Sequence, residues 1–241
     1  MILLFTDFGN SGPYQAQMSA QLRLAGYDGD IFPLFSDAPV FNPQAAGCLL
    51  AAYKNDFPKD SLFLSVVDPG VGSERRPLAL RASGRWFVGP DNGLFEKLVL
   101  EDPDAEIFEI IWRPEALSAS FHGRDLFAPV AANILAGHAS DKLRPLDRSE
   151  ILTADSRVDL EEVIYIDHYG NAMTGIRGCD AYRGLRIRGQ DLIFSRTFSD
   201  VPVGDPLVYI NANGLLEIAV NQGRADQYFD LQIGTSVSVL S

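Results

Sequence analysis

The stretch Leu62–Arg76, LFLSVVDPGVGSERR, decides the fold. Leu62, Phe63, Leu64, Val66 and Val67 run with almost no polar alternation, the pattern of a strand buried on both faces of a parallel sheet. Pro69-Gly70 ends it, because proline has no N–H for the ladder and glycine favours a turn, so Asp68 falls at the strand's carboxyl end. Open α/β sheets take their ligands at that end. Gly70 and Gly72 leave the backbone bare, and Arg75 and Arg76 follow within reach of the carboxylate. These residues suit a ligand-binding loop and a tight loop with an Asp–Arg surface pair equally well.

Upstream, Ile2–Phe5 repeats the pattern as a short apolar strand ending in Thr6-Asp7-Phe8-Gly9, a second strand end with a carboxylate. Pro13 is suited to a first helical position, Tyr14, Met18 and Leu22 recur at helical spacing, and Gly26 supplies a stop. Ile31–Phe35 reads as a second strand and Asn42-Pro43 as the cap and first turn of a helix through Leu49 and Tyr53. This alternation predicts an α/β fold, with a mostly parallel sheet and flanking helices in the N-terminal domain.

Downstream, Leu78–Arg81 and Trp86–Val88 flank Ser83-Gly84 like a hairpin, Leu94–Leu100 reads as helical and Ile107–Ile111 as a strand. His122 lies just ahead of a helical stretch through Val130 and Ile134 that halts at Gly137. His138 to about Asp159 turns polar and charged and reads as a linker. Short strands at 163–166, 185–187, 192–194, 207–210, 215–220 and 237–240 then predict a small antiparallel β-barrel or sandwich. The expected domains are residues 1–150 and 158–241.

Composition excludes several function classes. Asp and Glu total 32 against 20 Lys and Arg, a net charge of −12, so no basic face for nucleic acid is expected. The two cysteines, Cys48 and Cys179, lie far apart without metal or disulfide spacing. MILLFTDFGN lacks a basic flank and a long apolar core, and no stretch approaches a membrane span, so a cytoplasmic protein is expected. Three histidines without HxH or HExxH spacing argue against a catalytic metal, and GxSxG, GxGxxG and P-loop patterns are missing. What remains is Asp7 and Asp68 at strand ends, Arg75 after the glycine loop, and His122 before a helix. In a sheet of this type strand ends share one rim, so these groups are candidates to converge. Taken alone, His122 also suits a capping or packing role, and Asp167 and Asn171 of IDHYGN suit a β-turn.

Six separated motifs, TDFG, VVDPGVGSERR, FVGPDNG, FHGRDLFAPVAA, IDHYGN and GLLEIAVN, together resemble the S-adenosylmethionine hydroxide adenosyltransferase family, relatives of the fluorinase and chlorinase. The resemblance spans nearly the whole chain. It implies an α/β N-terminal domain, a small C-terminal β-barrel domain and a homotrimer whose ligand lies between subunits. It also implies hydrolysis of S-adenosylmethionine to adenosine and methionine by water attacking C5′, with S-adenosylmethionine as substrate and no cofactor. The sulfonium leaves as a neutral thioether and needs no acid, so the demand falls on holding and deprotonating the water. By the same resemblance Asp68, Arg75 and His122 are the water-activating triad and Asp7 contacts substrate. Asn171 and the segment from Glu217 to Val220 hold adenine, and Asp167 lies near the methionine amino group.

Three departures accompany it. Gly12 stands where the family has a ribose-gripping aspartate, Asp37 where a histidine is common, and Ala212 where a serine helps hold the ligand. At about 1 kcal/mol or more for each lost hydrogen bond, substrate affinity is expected to fall roughly 10- to 100-fold unless other groups substitute, Asp37 being one candidate. The alternatives kept open by these departures are a noncatalytic adenosine-binding or sensing protein, a halide-using relative, and an enzyme for another adenosyl sulfonium. A halide would need no base, which sets the retained Asp–Arg–His set against the second.

Overall fold

The computed structural model describes residues 1–151 and 159–240. They form two compact units, Met1–Gly47 with Asn55–Ser156, and Cys48–Lys54 with Arg157–Ser241.

The first unit is built on β1 (Ile2–Thr6), α1 (Tyr14–Leu24), β2 (Ile31–Phe35), α2 (Pro43–Tyr53), β3 (Leu62–Val66), β4 (Pro77–Ala82), β5 (Arg85–Pro90), α3 (Glu96–Glu101), β6 (Glu106–Ile110), α4 (Ala128–Leu135) and β7 (Leu143–Leu146). The last residues of α2 belong with the second unit. The seven strands make one sheet in the order β2-β1-β3-β5-β4-β6-β7. β2, β1, β3 and β5 are mutually parallel, and the remaining pairings are antiparallel. Both β1 and β3 are buried along their whole length, as continuous apolar runs require. Ile2, Leu4, Leu62, Leu64 and Val66 pack on Met18 and Leu22 of α1 and on Val130, Ala131 and Ile134 of α4. On the alternate face Phe63 stacks on Phe87 at 4.9 Å.

Local chemistry sets the element ends. The Asn42 side chain accepts the Ala45 N–H at 3.1 Å and caps α2. Ser83 and Gly84 both take positive φ, 51° and 73°, the turn that matches the twist of a two-residue hairpin between β4 and β5. One expectation needs correction. Part of the polar stretch read as a linker is the edge strand β7, with Pro145 opposite Phe108 of β6. Its burial is slight, which hid it in the sequence, and proline is tolerated because only one neighbour uses its ladder. The opposite edge, β2, also carries a proline, Pro33, opposite Leu4. The rest of the linker reading includes residues 152–158, outside the described residues.

The second unit contains β8 (Leu160–Ile166), β9 (Ala172–Arg177), β10 (Gly184–Ile187), β11 (Gln190–Ile193), β12 (Pro206–Ile210), β13 (Leu215–Val220), a short helix α5 (Ala225–Tyr228) and β14 (Ser238–Leu240). The strand β9 was missed in the sequence, where Gly175 broke the apolar pattern. Leu160 packs against that glycine so closely that an added Cβ would lie 2.6 Å from its side chain. The expected antiparallel barrel or sandwich takes the form of two antiparallel sheets, β12-β13-β9-β8 and β11-β10-β14. Single bridges, Phe194 to Val208 and Glu162 to Ser236, join them at both margins. Their shared core includes Val163, Ile176, Leu185, Val208, Ile218 and Phe229.

Candidate functional site

The loop that follows β3 is held from two sides. Asn92, from the turn after β5, donates its side-chain N–H to the Val67 carbonyl at 2.9 Å, next to Asp68. Arg76 pairs with Asp91 of the same turn at 3.2 Å. Gly72 has φ +81°, and a Cβ there would stand 2.6 Å from the Ala119 carbonyl oxygen. Only glycine permits that approach. It brings the segment before His122 against the loop that carries Arg75.

Three sequence-predicted residues meet there. Arg75 Nε donates to Asp68 Oδ1 at 2.8 Å and its Nη2 donates to Oδ2, a bidentate fork. The same Nη2 lies 3.0 Å from His122 Nδ1. Both ion-pair side chains are buried, Arg75 at 8% and Asp68 at 4% exposure. The guanidinium also stands over the Phe127 ring at 5.3 Å. Guanidinium can only donate, so His122 Nδ1 is the acceptor and the neutral ring carries its proton on Nε2. Burial first, and the Arg75 charge second, push the His122 pKa below its ordinary 6.5. His122 precedes a π-helical turn, Gly123–Phe127, that leads into α4; such turns are frequent at functional sites.

Asp7, at the end of β1, opens onto the same cavity of about 360 Å³ as Asp68 and His122. Its Oδ2 accepts the Phe41 N–H at 3.1 Å, and Phe41 holds φ 56°, a strained value for an aromatic residue. Burial is the main cause that raises the Asp7 pKa. Phe8, Tyr14 and Phe121 pack on one another at 5.6–5.9 Å and supply aromatic wall. Asp37 is not among the residues that line this cavity. Gly12 has φ +116°, so an aspartate in this loop conformation would be strained.

The other predicted residues gather in the second unit. Asp167, Asn171, Glu217 and Val220 line a cavity of about 690 Å³ with Phe198, Tyr209 and Arg224. Asn171 donates its backbone N–H to Asp167 Oδ1 at 2.8 Å and its side-chain N–H to Oδ2 at 3.0 Å, so the carboxylate fixes the turn. Glu217 is buried, receives the Tyr209 hydroxyl on Oε1 and the Asn211 side chain on Oε2 at 2.8 Å, and has its pKa raised chiefly by desolvation. The same burial raises the Tyr209 pKa, with the Glu217 bond next in weight. Ala212 sits in the turn that follows. Sequence reasoning missed Phe198, Tyr209 and Arg224, since isolated aromatics and a surface arginine carry no motif. Among the described residues no group of three or more His, Cys, Asp or Glu could hold a metal ion, and no helix is long and apolar enough to cross a membrane.

Comparisons with known proteins agree along the chain. Residues 2–144 match the family model described as SAM hydroxide adenosyltransferase N-terminal domain, and residues 161–238 match its C-terminal counterpart. A relative from Thermus thermophilus named (R)-S-adenosyl-L-methionine hydrolase is 35% identical, over 99% of each chain. A protein of Actinopolyspora mzabensis named fluorinase is 25% identical, over 99% of this chain and 96% of its own. A solved structure titled as an uncharacterized conserved protein from Thermotoga maritima has a TM-score of 0.87 at 30% identity, over 100% of both chains.

Proposed function

This chain belongs to the SAM hydroxide adenosyltransferase family, and on that premise we propose that it hydrolyses S-adenosylmethionine to adenosine and methionine. It is an enzyme, and its substrate is the sulfonium itself. The observation that carries the reading is the Asp68–Arg75–His122 constellation, a buried ion pair with a half-buried imidazole, opening through Asp68 and His122 onto one cavity.

The reaction joins a water oxygen to C5′ as the C5′–S bond breaks, its electron pair returning to sulfur to give a neutral thioether. One proton must leave the water. His122 uses Nδ1 to accept from Arg75, which leaves Nε2–H to hold the water oxygen as a donor. Asp68 keeps lone pairs beyond those engaged by Arg75 and takes the proton as general base. Arg75 fixes both partners and balances the carboxylate. Asp7, beside the same cavity, is assigned to the ribose side. Asp167, Asn171 and Val220 are assigned to the methionine amino group and adenine, on the premise of family membership. The sulfonium is its own leaving group, so no cofactor is proposed.

We further propose domains at 1–150 and 158–241, a homotrimer with the site shared between subunits, and a cytoplasmic location. One experiment tests activity and assembly together: S-adenosylmethionine is incubated with enzyme over a dilution series. Adenosine and methionine are expected in equal amounts without added halide, with specific activity falling as the protein dissociates. No adenosine without halide, with a 5′-halo nucleoside appearing when halide is added in a parallel series, would overturn the hydrolase reading, and constant specific activity in a demonstrable monomer would overturn the shared site.

The depressed His122 pKa gives a pH prediction. Protonation would set an N–H against the guanidinium, so the neutral ring is the competent form. A lowered pKa keeps it neutral through pH 7, and the rate is expected to fall only below the ordinary value of 6.5. A pH–rate profile with an acid limb centred above 6.5 would contradict the role assigned to His122.

A further inference from the structure

The segment that carries His122 into the site is closed into a ring by one side chain. Asp125, in the π-helical turn, accepts the backbone N–H of Ser118 on Oδ2 at 3.1 Å. Its own N–H donates to the Phe121 carbonyl at 3.1 Å, and the Ser118 hydroxyl accepts the Ser120 N–H at 3.4 Å. His122 stands between the two ends of that ring. A loop of this length would otherwise be free to splay, and here a single carboxylate sets where it begins relative to the helix that ends it.

That carboxylate is itself clamped. Arg124 Nε donates to Asp125 Oδ1 and Nη2 donates to Oδ2 at 2.9 Å. The Arg124 bond is also the chief cause that holds the Asp125 pKa below its ordinary value, so the acceptor stays ionised. The same guanidinium stands over the Phe121 ring at 5.0 Å, and Phe121 packs on Phe8 and Tyr14 of the cavity wall. Ala119, within the ring, is the residue whose carbonyl oxygen meets Gly72 of the loop carrying Arg75. Movement of the segment would therefore disturb both ends of the Arg75–His122 contact. The Arg75 bond orients the imidazole, but it does not place the backbone that bears it.

We propose that Asp125 is a positioning residue for the hydrolysis: its carboxylate, clamped by Arg124, sets the backbone from Ser118 to the helix so that His122 reaches Arg75 and the water. Asp125 is not among the residues that line the cavity shared by Asp68 and His122, so it acts through the histidine and not on the substrate. The inference rests on the hydrolase reading above and adds one residue to the machinery that this reading requires.

The test compares Asp125→Ala, Asp125→Asn and Ser118→Pro with wild type. Turnover is measured at saturating S-adenosylmethionine, and calorimetry gives the dissociation constant of S-adenosylhomocysteine, whose sulfur is already a neutral thioether and does not leave. Asp125→Ala is expected to lower turnover roughly 10- to 100-fold, the cost of a misplaced group. The dissociation constant should stay within about twofold, because the lost interaction serves the reacting geometry and not binding. Asp125→Asn should regain most of the turnover, since its amide oxygen still accepts from Ser118 although one arm of the Arg124 fork is gone. Ser118→Pro deletes the same bond from its donor end, leaves the Arg124–Asp125 pair whole, and should reproduce the fall. Melting temperatures report whether each variant folds. Nitrogen NMR of the imidazole, assigned with His122→Ala, reads the placement without turnover. Wild type is expected to show the Nε2–H tautomer and Asp125→Ala a mixture, as the Arg75 bond loosens. Near wild-type turnover in folded Asp125→Ala or Ser118→Pro protein overturns the proposal. So does a dissociation constant that rises as much as turnover falls, or an Asp125→Asn protein as slow as Asp125→Ala. If wild type releases no adenosine while the tautomer responds as expected, the hydrolase reading fails and the placement of His122 by Asp125 stands. An unchanged tautomer in Asp125→Ala, with adenosine released by wild type, overturns the proposal alone.

Discussion

Asp68→Asn is expected to lower adenosine release by about 10²–10⁴-fold, the usual contribution of a positioned general base. Asparagine keeps one acceptor for Arg75 Nε but sets an amide N–H against the guanidinium Nη2 that now serves both Asp68 and His122. It also leaves a cation without its counter-charge in a place where the ion-pair side chains are 8% and 4% exposed. Breaking a buried pair from one side costs about 3–5 kcal/mol, so urea denaturation should show a marked loss of stability as well. His122→Ala separates the two effects, since it removes the group proposed to orient the water and leaves the Asp68–Arg75 ion pair whole. Its rate should fall with a much smaller loss of stability. Retention of near wild-type turnover by Asp68→Asn would mean that the proton goes elsewhere.

Gly89→Ala should be the most damaging single methyl group in the first unit. The new Cβ would lie 2.1 Å from the Ser65 backbone oxygen and 3.0 Å from the Phe95 ring. Neither partner is a flexible side-chain tip. Gly89 lies in β5 beside β3 at the level of Ser65, three residues before Asp68, so the strands must part where the loop carrying Asp68 emerges. Overpacking of this kind costs about 1–3 kcal/mol, and a backbone-to-Cβ clash belongs at the upper end or beyond it. The expected result is a lower midpoint in chemical denaturation together with reduced turnover in the fraction that remains folded. An alanine variant with unchanged midpoint would show that β3 and β5 can separate freely.

Legibility in the sequence followed the strength of the local signal. The β3 run, the Asn42 cap and the Ser83-Gly84 turn each carry a short-range physical cause, and each is present in the structure. Asp68, Arg75 and His122 are separated by up to 54 positions, and no periodicity could have brought them together; the family resemblance supplied that grouping. The edge strand β7 was hidden because an exposed strand containing proline has the composition of a linker. The central strand β9 was hidden by Gly175, whose role is a close approach by Leu160 that only three-dimensional packing reveals. Tyr209 was invisible for a different reason. Its place in the cavity wall is fixed by a hydroxyl bond to Glu217, its partner across an antiparallel pair in the ladder, which no local pattern announces.

The prolines at the two margins of the seven-stranded sheet, Pro33 in β2 and Pro145 in β7, bear on how this molecule can meet others. A bare outer strand is a template on which a second chain can polymerise through its main chain. A residue without an N–H interrupts that template, and here one stands on each outermost strand. Growth of the sheet from molecule to molecule is thereby discouraged at both ends. Association of copies is left to side-chain surfaces, whose shape and chemistry can limit it to a closed set, whereas strand addition has no natural stopping point.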